Sequence, residues 1–307
     1  MTGRPYSGVF PILPTTFLPD GELDEPSLLR AVDFFIDAGV HGFCILANFS
    51  EQWAITGAER ERITDLVLQH TAGRVPVIVT ASHYSARIAA QRSRRAEAAG
   101  ASMVMLMPPY HGAHKPDEHG IRDFFHHVAD AISIPIMVQD APISGVTLTP
   151  QFLAQLATDI PHLAYFKIEA PGAADKLREL IRLAGDHIEG PFDGEEGITM
   201  LPDLDAGARG TMPGGMIPEI HTRIFNLYAQ GQRADAMAEF HRALPLINYE
   251  NKLCGLRATK VLLKEGGIIA SDATRPPIGP LTPEVRAGLL ELARMIDPLV
   301  LRYAPKR

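Results

Sequence analysis

Short apolar runs alternate with amphipathic stretches eight times over the first 230 residues of this 307-residue chain. The runs are apolar at consecutive positions, which is typical of parallel strands buried on both faces. A closed parallel barrel with a helix after each strand fits this pattern, and an open doubly wound sheet is the alternative. We predict strands at Val9–Phe17, Gly42–Ala47, Val75–Thr80, Ser102–Met107, Ile134–Gln139, Leu163–Ile168, Ile188–Phe192 and Gly210–Pro213.

The stretches between these runs have the periodicity of amphipathic helices. In the first stretch, Leu28, Val32 and Phe35 fall on one stripe, as a helix that faces a core requires. No GxGxxG motif follows the first strand, which disfavours an open dinucleotide-binding sheet. The sequence therefore predicts an α/β fold, a (β/α)8 TIM barrel. The predicted helices cover 26–38, 58–72, 85–99, 119–131, 150–159, 173–184, 196–206 and 218–230.

The chain changes character after residue 230, where the strand pattern stops and helical periodicity alone remains. A proline-rich break at Arg275–Pro283 interrupts this last part. We therefore expect a barrel catalytic domain over residues 1–230 and a C-terminal helical extension over residues 231–307 that packs on the barrel.

The composition limits which binding partners and which cellular compartment we expect for this chain. The formal net charge is -7 and no basic run stands out, so nucleic acid is not an expected partner. Cys44 and Cys254 lie far apart without CxxC spacing, which favours a reducing cytoplasm over a disulfide framework or a zinc site. No window approaches about 20 uninterrupted apolar residues, so we expect no membrane span.

Lys167 lies in an apolar predicted strand, whereas the other lysines fall in loops, helices or the tail. A charged ammonium there is costly unless it is paired or used. Burial favours the neutral amine, which is the nucleophile that a carbonyl substrate needs. Lys167 is also near the C-terminal end of the sixth strand, where barrel active sites are built. We interpret it as catalytic, and a lysine that is merely paired inside the barrel is the alternative.

Glu169 follows Lys167 by two residues, so both side chains face the barrel if the strand continues that far. A carboxylate beside an imine nitrogen is well placed to move protons, and a plain ion pair that holds the lysine is the equal alternative.

Polar residues also follow the other strands, at the edge where a substrate would bind. None of these patterns is specific alone, and the histidines lack a third ligand at metal-binding spacing, so no metal site is expected. The candidates are Asn48, Phe49 and Ser50 after strand two, Ser82 and His83 after strand three, Tyr110 and His111 after strand four, and Gln139 at the end of strand five.

Several segments together resemble one family of class I barrel enzymes. They are Gly8–Phe17, Asp20–Asp24, Pro108–Tyr110, the strand of Lys167 and the C-terminal helices. Over essentially its whole length the chain resembles the dihydrodipicolinate synthase / N-acetylneuraminate lyase family. The resemblance implies a pyruvate-like 2-keto acid bound as an imine on Lys167 and a homotetramer built as a dimer of dimers. We expect no cofactor.

The chain departs from the family pattern at positions that matter for chemistry. The usual Gly-Thr/Ser-Thr-Gly-Glu motif is Ala47–Glu51 here. The family's catalytic tyrosine at the end of strand five matches Gln139, and its second tyrosine matches His111. A neutral amide cannot relay a proton as a phenol can, so the usual aldol relay is in doubt. One extra residue, Ile168, separates Lys167 from its glutamate.

These departures resemble the subgroup of the family that dehydrates 2-keto-3-deoxy-L-arabonate, on segments 45–52, 165–169 and 189–196. The resemblance implies a lyase that converts this 2-keto-3-deoxy sugar acid, 2-dehydro-3-deoxy-L-arabinonate, to 2,5-dioxopentanoate in L-arabinose degradation. An aldolase that releases pyruvate is the alternative. A non-catalytic sugar-acid sensor and a metal-dependent barrel enzyme are less favoured.

The resemblance also implies roles for the candidate residues. Glu169 is expected to move the proton at C3 or at the leaving hydroxyl, with Tyr110 and His111 as second choices. The substrate would be held by Asn48, Phe49 and Ser50 at its carboxylate and by Ser82, His83 and Gln139 along its chain, and Gly194 is a further substrate contact.

Overall fold

The computed structural model describes residues 6–303 and groups them into two compact units. The first unit contains Val77–Glu195, Thr199–Thr211 and the described residues before Gly8. The second contains Gly8–Pro76, Glu196–Ile198 and the described residues from Met212 onward.

Eight strands form one sheet whose spatial order follows the order of the chain. They are β1 Gly8–Val9, β2 Phe43–Ile45, β3 Val77–Thr80, β4 Met103–Leu106, β5 Ile136–Asp140, β6 Leu163–Ile168, β7 Gly190–Asp193 and β8 Gly210–Thr211. The order in the sheet is β1-β8-β7-β6-β5-β4-β3-β2. Ile12, just beyond β1, forms parallel bridges to both Cys44 and Gly214, which nearly closes the ring.

Helices alternate with these strands, and the prediction of a (β/α)8 TIM barrel with a C-terminal helical extension is confirmed. The barrel helices are α1 Glu25–Asp37, α2 Gly57–Thr71, α3 Ala86–Ala98, α4 Glu118–Ala129, α5 Pro150–Asp159, α6 Ala173–Ala184, α7 Met200–Asp205 and α8 Pro218–Ala229. The extension contains α9 Arg233–Tyr249, α10 Arg257–Glu265 and α11 Pro283–Ile296. The expected break at Arg275–Pro283 falls between α10 and α11.

The strands of the first unit are buried at every position, which explains their continuous apolar sequence. Their parallel pairing fixes which side chains are neighbours. Gln139 of β5 pairs with Lys167 of β6, and Lys167 pairs in turn with Phe192 of β7. The register therefore puts three consecutive strand ends at the same level as Lys167.

Several predicted elements are shorter in the structure, and two differ most from the prediction. The predicted strand Val9–Phe17 contains only β1 and isolated bridges, because Pro11 and Pro14 have no N–H to donate to a sheet. The predicted helix 196–206 begins only at Met200. Glu196 and Gly197 have φ angles of 50° and 80°, which a right-handed helix cannot contain.

No helix among residues 6–303 combines the length and the apolar character needed to cross a membrane.

Candidate active site

Lys167 lies in β6 with almost no exposure to solvent. Its side chain is 6% exposed, and its Nζ lies 2.6 Å from Oε1 of Glu169, which is 17% exposed. A buried ammonium without a counter-charge is strongly unfavourable, so the carboxylate stabilises the charged form of the lysine. The two side chains meet because residues two apart in an extended segment face the same side, as the sequence predicted.

Gln139 completes a three-residue group with this pair. Its Nε2 donates to Oε1 of Glu169 over 2.8 Å. Gln139 is 1% exposed, and its Oε1 receives no hydrogen bond from any residue within 6–303. One carboxylate oxygen therefore serves both Lys167 and Gln139, and the amide oxygen is left as a buried acceptor. Sequence reasoning placed Gln139 at the substrate and did not anticipate its hydrogen bond to Glu169.

Gly194, directly after β7, packs against the same pair. Its N–H donates to the carbonyl of Ile168 over 3.1 Å, which extends the pairing with β6 by one residue. A Cβ at this position would lie 2.6 Å from Cγ of Glu169 and 2.7 Å from Cγ of Lys167. Glycine is thus required here by close packing, and the structure brings this predicted residue together with Lys167 and Glu169.

A second buried ion pair lies next to the first and was missed by the sequence reasoning. Nζ of Lys176 in α6 lies 2.5 Å from Oδ2 of Asp140 at the end of β5, and both side chains are largely buried. Burial raises the pKa of Asp140, although the hydrogen bond from Lys176 opposes that shift. The carbonyl of Asp140 accepts from the N–H of Glu169 over 3.0 Å, so this pair supports the backbone of the glutamate. Lys176 follows the helical pattern of α6, and its sequence position gave no reason to expect this contact.

Ser82 and His83 follow β3 and are half-buried. Oγ of Ser82 accepts from the N–H of Met107 over 3.0 Å, and the Ser82 carbonyl accepts from Arg92 over 2.5 Å. Nδ1 of His83 accepts from the N–H of Ser85 over 3.0 Å, so His83 helps to start α3. These bonds fix the turn after β3 to the end of β4, and the predicted substrate contacts of both residues stay predictions.

Tyr110 and His111 follow β4 in the same unit. Tyr110 is half-buried, whereas His111 is exposed. The backbone of His111 exchanges two hydrogen bonds of 3.0 Å with His114, and its ring centroid lies 6.0 Å from that of Tyr84. His111 is therefore held at the surface of the first unit by a local turn. The acid–base roles predicted for Tyr110 and His111 stay predictions.

Asn48, Phe49 and Ser50 form a single helical turn after β2, in the second unit. The Ser50 hydroxyl donates to the carbonyl of Leu13 over 2.7 Å, so this donor is already used. The Ser50 N–H is used as well, because it donates to the carbonyl of Ala47 over 2.9 Å. The predicted contact of this turn with a substrate carboxylate stays a prediction.

Glu51 ends that turn with a left-handed backbone (φ 58°) and is fully buried. Its carboxylate forms an ion pair with buried Lys260 of α10, and its Oε2 accepts from the N–H of Arg275 over 2.9 Å. Burial lowers the pKa of Lys260, and the Glu51 charge opposes that shift. The guanidinium of Arg275 and the ammonium of Lys260 both lie over the Phe17 ring, at 4.3 and 4.5 Å. Glu51 thus fixes the Asn48–Ser50 turn within the second unit.

Within residues 6–303, no three His, Cys, Asp or Glu side chains are arranged to hold a metal ion. The first unit brings together a lysine amine, a carboxylate and an amide. Such a group can form an imine with a carbonyl carbon and move a proton next to it.

The family model described as the dihydrodipicolinate synthetase family matches residues 5–296. The chain belongs to this family. It is 57% identical over 300 residues to an L-2-keto-3-deoxyarabonate dehydratase of Azospirillum brasilense, covering 97% of each chain. It is 30% identical over 290 residues to a 4-hydroxy-tetrahydrodipicolinate synthase of Pelobacter propionicus, covering 92% of this chain and 96% of that one.

A solved structure gives the same fold. A prophage protein of the dihydrodipicolinic acid synthase family from E. coli K12, in complex with pyruvate, matches with a TM-score of 0.88 and 25% identity. The match covers 95% of this chain and 99% of that one. In this member of the dihydrodipicolinate synthetase family, Gln139, which the sequence analysis matched to a tyrosine of the family pattern, donates its amide N–H to Glu169.

The packing of Gly194 leads to a first prediction. Gly194→Ala displaces Lys167 and Glu169 by roughly 1 Å, and a displacement of that size costs about 100-fold in rate. We expect kcat/KM on a 2-keto-3-deoxy sugar acid to fall by about that factor while the melting temperature changes by only a few degrees. Gly57→Ala is the matched control, since no atom lies within 4 Å of its added Cβ. Equal kcat/KM for the two variants would contradict the packing argument.

Proposed function

We propose that the chain is a Schiff-base hydro-lyase that dehydrates 2-dehydro-3-deoxy-L-arabinonate to 2,5-dioxopentanoate. The 57% identity to the Azospirillum brasilense dehydratase over nearly the full length of both chains supports this substrate. The pyruvate in the E. coli K12 relative supports a 2-keto acid as the general class.

The observation that carries the proposal is the hydrogen-bonded group of Lys167, Glu169 and Gln139. An aldol cleavage requires a base that removes the proton of the C4 hydroxyl. A glutamine at the end of β5 cannot accept that proton, because a neutral amide is not a base at ordinary pH. An elimination instead needs a base at C3, and Glu169 beside the imine nitrogen suits that position.

The first half of the reaction forms the electron sink. Glu169 takes the ammonium proton of Lys167, and the neutral amine adds to the C2 carbonyl. Glu169 then returns that proton to the departing hydroxyl, so the carbinolamine loses water and leaves a protonated imine. Glu169 balances the positive charge on that nitrogen and then takes a proton from C3. The electron pair of the broken C3–H bond moves into the C2–C3 bond, which leaves a neutral enamine on Lys167.

The second half expels the leaving group. The enamine pushes its electron pair toward C4, and the C4 hydroxyl leaves as water after it receives a proton. Glu169, which has taken the C3 proton, is the first candidate for the donor of that proton. Tyr110 and His111 are the second candidates. The C5 carbinol then tautomerises to an aldehyde: one proton is lost from C5 and one from the C5 hydroxyl, and one proton is gained at each of C3 and C4. Hydrolysis of the imine consumes one water and restores Lys167, so the net change is the loss of one water.

The remaining predicted residues hold the substrate in this proposal. The binding of the substrate carboxylate by Asn48, Phe49 and Ser50 stays a prediction. The buried Oε1 of Gln139, which lacks a donor within residues 6–303, accepts a hydrogen bond from a substrate hydroxyl. Ser82 and His83 contact the distal end of the substrate chain, and Gly194 leaves space for its central carbons.

The assembly and the compartment are part of the same proposal. We infer a homotetramer in the cytoplasm that uses no cofactor and no metal. Two buried free thiols, Cys44 and Cys254, support a reducing compartment. Sedimentation of the purified chain tests the tetramer. The division into a catalytic domain over 1–230 and an extension over 231–307 stays a prediction.

A product assay separates dehydration from aldol cleavage. The chain is incubated with each enantiomer of 2-keto-3-deoxypentonate, and the products are identified by mass. We expect 2,5-dioxopentanoate from the L-form, and no pyruvate in a coupled assay with lactate dehydrogenase. Pyruvate formed at the rate of substrate loss would replace the proposal with the aldolase.

The role of Glu169 leads to a second prediction. Glu169→Gln retains the shape of the side chain and removes the base, so we expect kcat to fall by about 100-fold or more. Borohydride trapping of the imine with pyruvate should still succeed, because Lys167 is present. Glu118→Gln, an exposed carboxylate in α4 of the same unit, is the control. An unchanged kcat would leave Glu169 with only the role of an ion-pair partner.

A further inference from the structure

Residues of the C-terminal extension surround Glu51, within the second unit. Lys260 of α10 is fully buried, and its Nζ forms an ion pair with Oε1 of Glu51 and donates to the carbonyl of Ala273 over 2.8 Å. The backbone N–H of Arg275 donates to the other carboxylate oxygen of Glu51 over 2.9 Å. A carboxylate in a buried position needs such partners to stay charged, so the extension supplies what Glu51 requires.

The side chain of Arg275 connects three further segments of the second unit. Its Nε donates to the carbonyl of Gly21, before α1, over 2.8 Å, and its Nη1 donates to the carbonyl of Ala54 over 2.9 Å. Both Nη groups donate to the carboxylate of Glu59 in α2. These bonds lower the pKa of Glu59 to about 2, so this pair stays charged throughout the neutral range. A guanidinium presents its donors in a rigid fork, which fixes these acceptors relative to one another.

Residues 273–275, which we call the strap, therefore hold the two turns that follow β2. Glu51 lies where the Asn48–Ser50 turn meets the Gln52–Ala54 turn, and its backbone there is left-handed. Such a backbone is unfavourable for a residue with a Cβ atom, and it persists only where its surroundings enforce it. The strap binds the bend itself, at the Glu51 side chain, and the chain just after it, at the Ala54 carbonyl.

Stability alone does not explain a fully buried ion pair, because apolar side chains of similar size often stabilise a fold as well or better. A fully bonded polar network instead selects one conformation of the backbone that it holds. The cations of Lys260 and Arg275 also lie over the Phe17 ring, at 4.5 and 4.3 Å, which restricts where they can move. The two cations are thus fixed points from which Glu51 and Ala54 are held.

We propose that Lys260 and Arg275 are positioning residues that hold the Asn48–Ser50 turn in the shape that its predicted contact with a substrate carboxylate requires. The C-terminal extension then sets the affinity for the 2-keto acid and leaves the steps at the imine to other residues. The claim about affinity rests on the proposed function and on that predicted contact. The claim about the shape of the turn rests on neither.

Arg275→Met tests the affinity, because it removes the guanidinium and retains the backbone N–H that binds Glu51. We expect KM for 2-dehydro-3-deoxy-L-arabinonate to rise about tenfold, the size expected for the loss of a hydrogen bond or two. The value of kcat should change less than about twofold, since the loss affects binding and not the chemical steps. Arg286→Met is the matched control, because Arg286 pairs with Asp272 and Glu265 of the extension itself. Its KM should stay at the wild-type value.

The dependence on the carboxylate is tested by trapping with two small ketones. Borohydride trapping on Lys167 is measured over a concentration series of pyruvate, and of pyruvamide, which has the same keto group and no charge. In Arg275→Met the half-maximal pyruvate concentration should rise about tenfold, and that of pyruvamide less than about twofold. Equal shifts for both ketones would overturn the role in carboxylate binding. No adduct from pyruvate in the wild type would instead contradict the proposed function.

Trp53 measures the shape of the turn without any substrate. It is the only tryptophan of the chain, lies in the Gln52–Ala54 turn and is 56% exposed, so its motion follows that turn. We expect the amplitude of its nanosecond anisotropy decay to be larger in Arg275→Met than in the wild type, and unchanged in Arg286→Met.

Lys260→Met combined with Glu51→Gln provides a second variant, which removes both buried charges together and leaves no unpaired ion. It should show the same larger Trp53 amplitude and the same rise in KM. Lys264→Met, in the same helix, is its control, because Lys264 pairs with Asp272 over 2.7 Å. Wild-type Trp53 decay in both test variants would overturn the positioning role, even if the chain proved not to be a dehydratase. A larger Trp53 amplitude with unchanged KM would overturn the effect on affinity.

Discussion

Burial of the Lys167 side chain is the constraint on which the rest of the site depends. An amine that must attack a carbonyl is most reactive when neutral, and removal from water favours that form. The imine that follows is a cation, and a cation in the same place requires a fixed counter-charge. Glu169, 2.6 Å from the lysine, meets both needs, because it can take a proton from the amine and later balance the imine.

The same constraint explains why the surroundings of Glu169 are so well ordered. A carboxylate that leaned away from Lys167 would leave a buried charge unpaired, at a cost of several kcal/mol. Gln139 holds the carboxylate from the side by a hydrogen bond of 2.8 Å. The carbonyl of Asp140 holds the backbone N–H of Glu169, and Lys176 in turn holds the Asp140 carboxylate. Each support comes from a neighbouring strand or helix, so the geometry of the reacting groups is set by the fold and not by one flexible loop.

The fold could be predicted from the sequence because parallel strands that are buried on both faces consist of consecutive apolar residues. The meeting of Lys167 with Glu169 could be predicted as well, since it depends only on alternation within one segment. The hydrogen bond from Gln139 to Glu169 could not be predicted, because it depends on the register between β5 and β6.

The central claim is that Lys167 forms the covalent intermediate, and chemical trapping tests it most directly. The chain is incubated with pyruvate or with a 2-keto-3-deoxypentonate, reduced with borohydride, digested and examined by mass spectrometry. The account predicts a mass increase on the peptide that contains Lys167, and neither an adduct nor turnover in a Lys167→Ala variant. An adduct on another lysine, or full activity in Lys167→Ala, would contradict it.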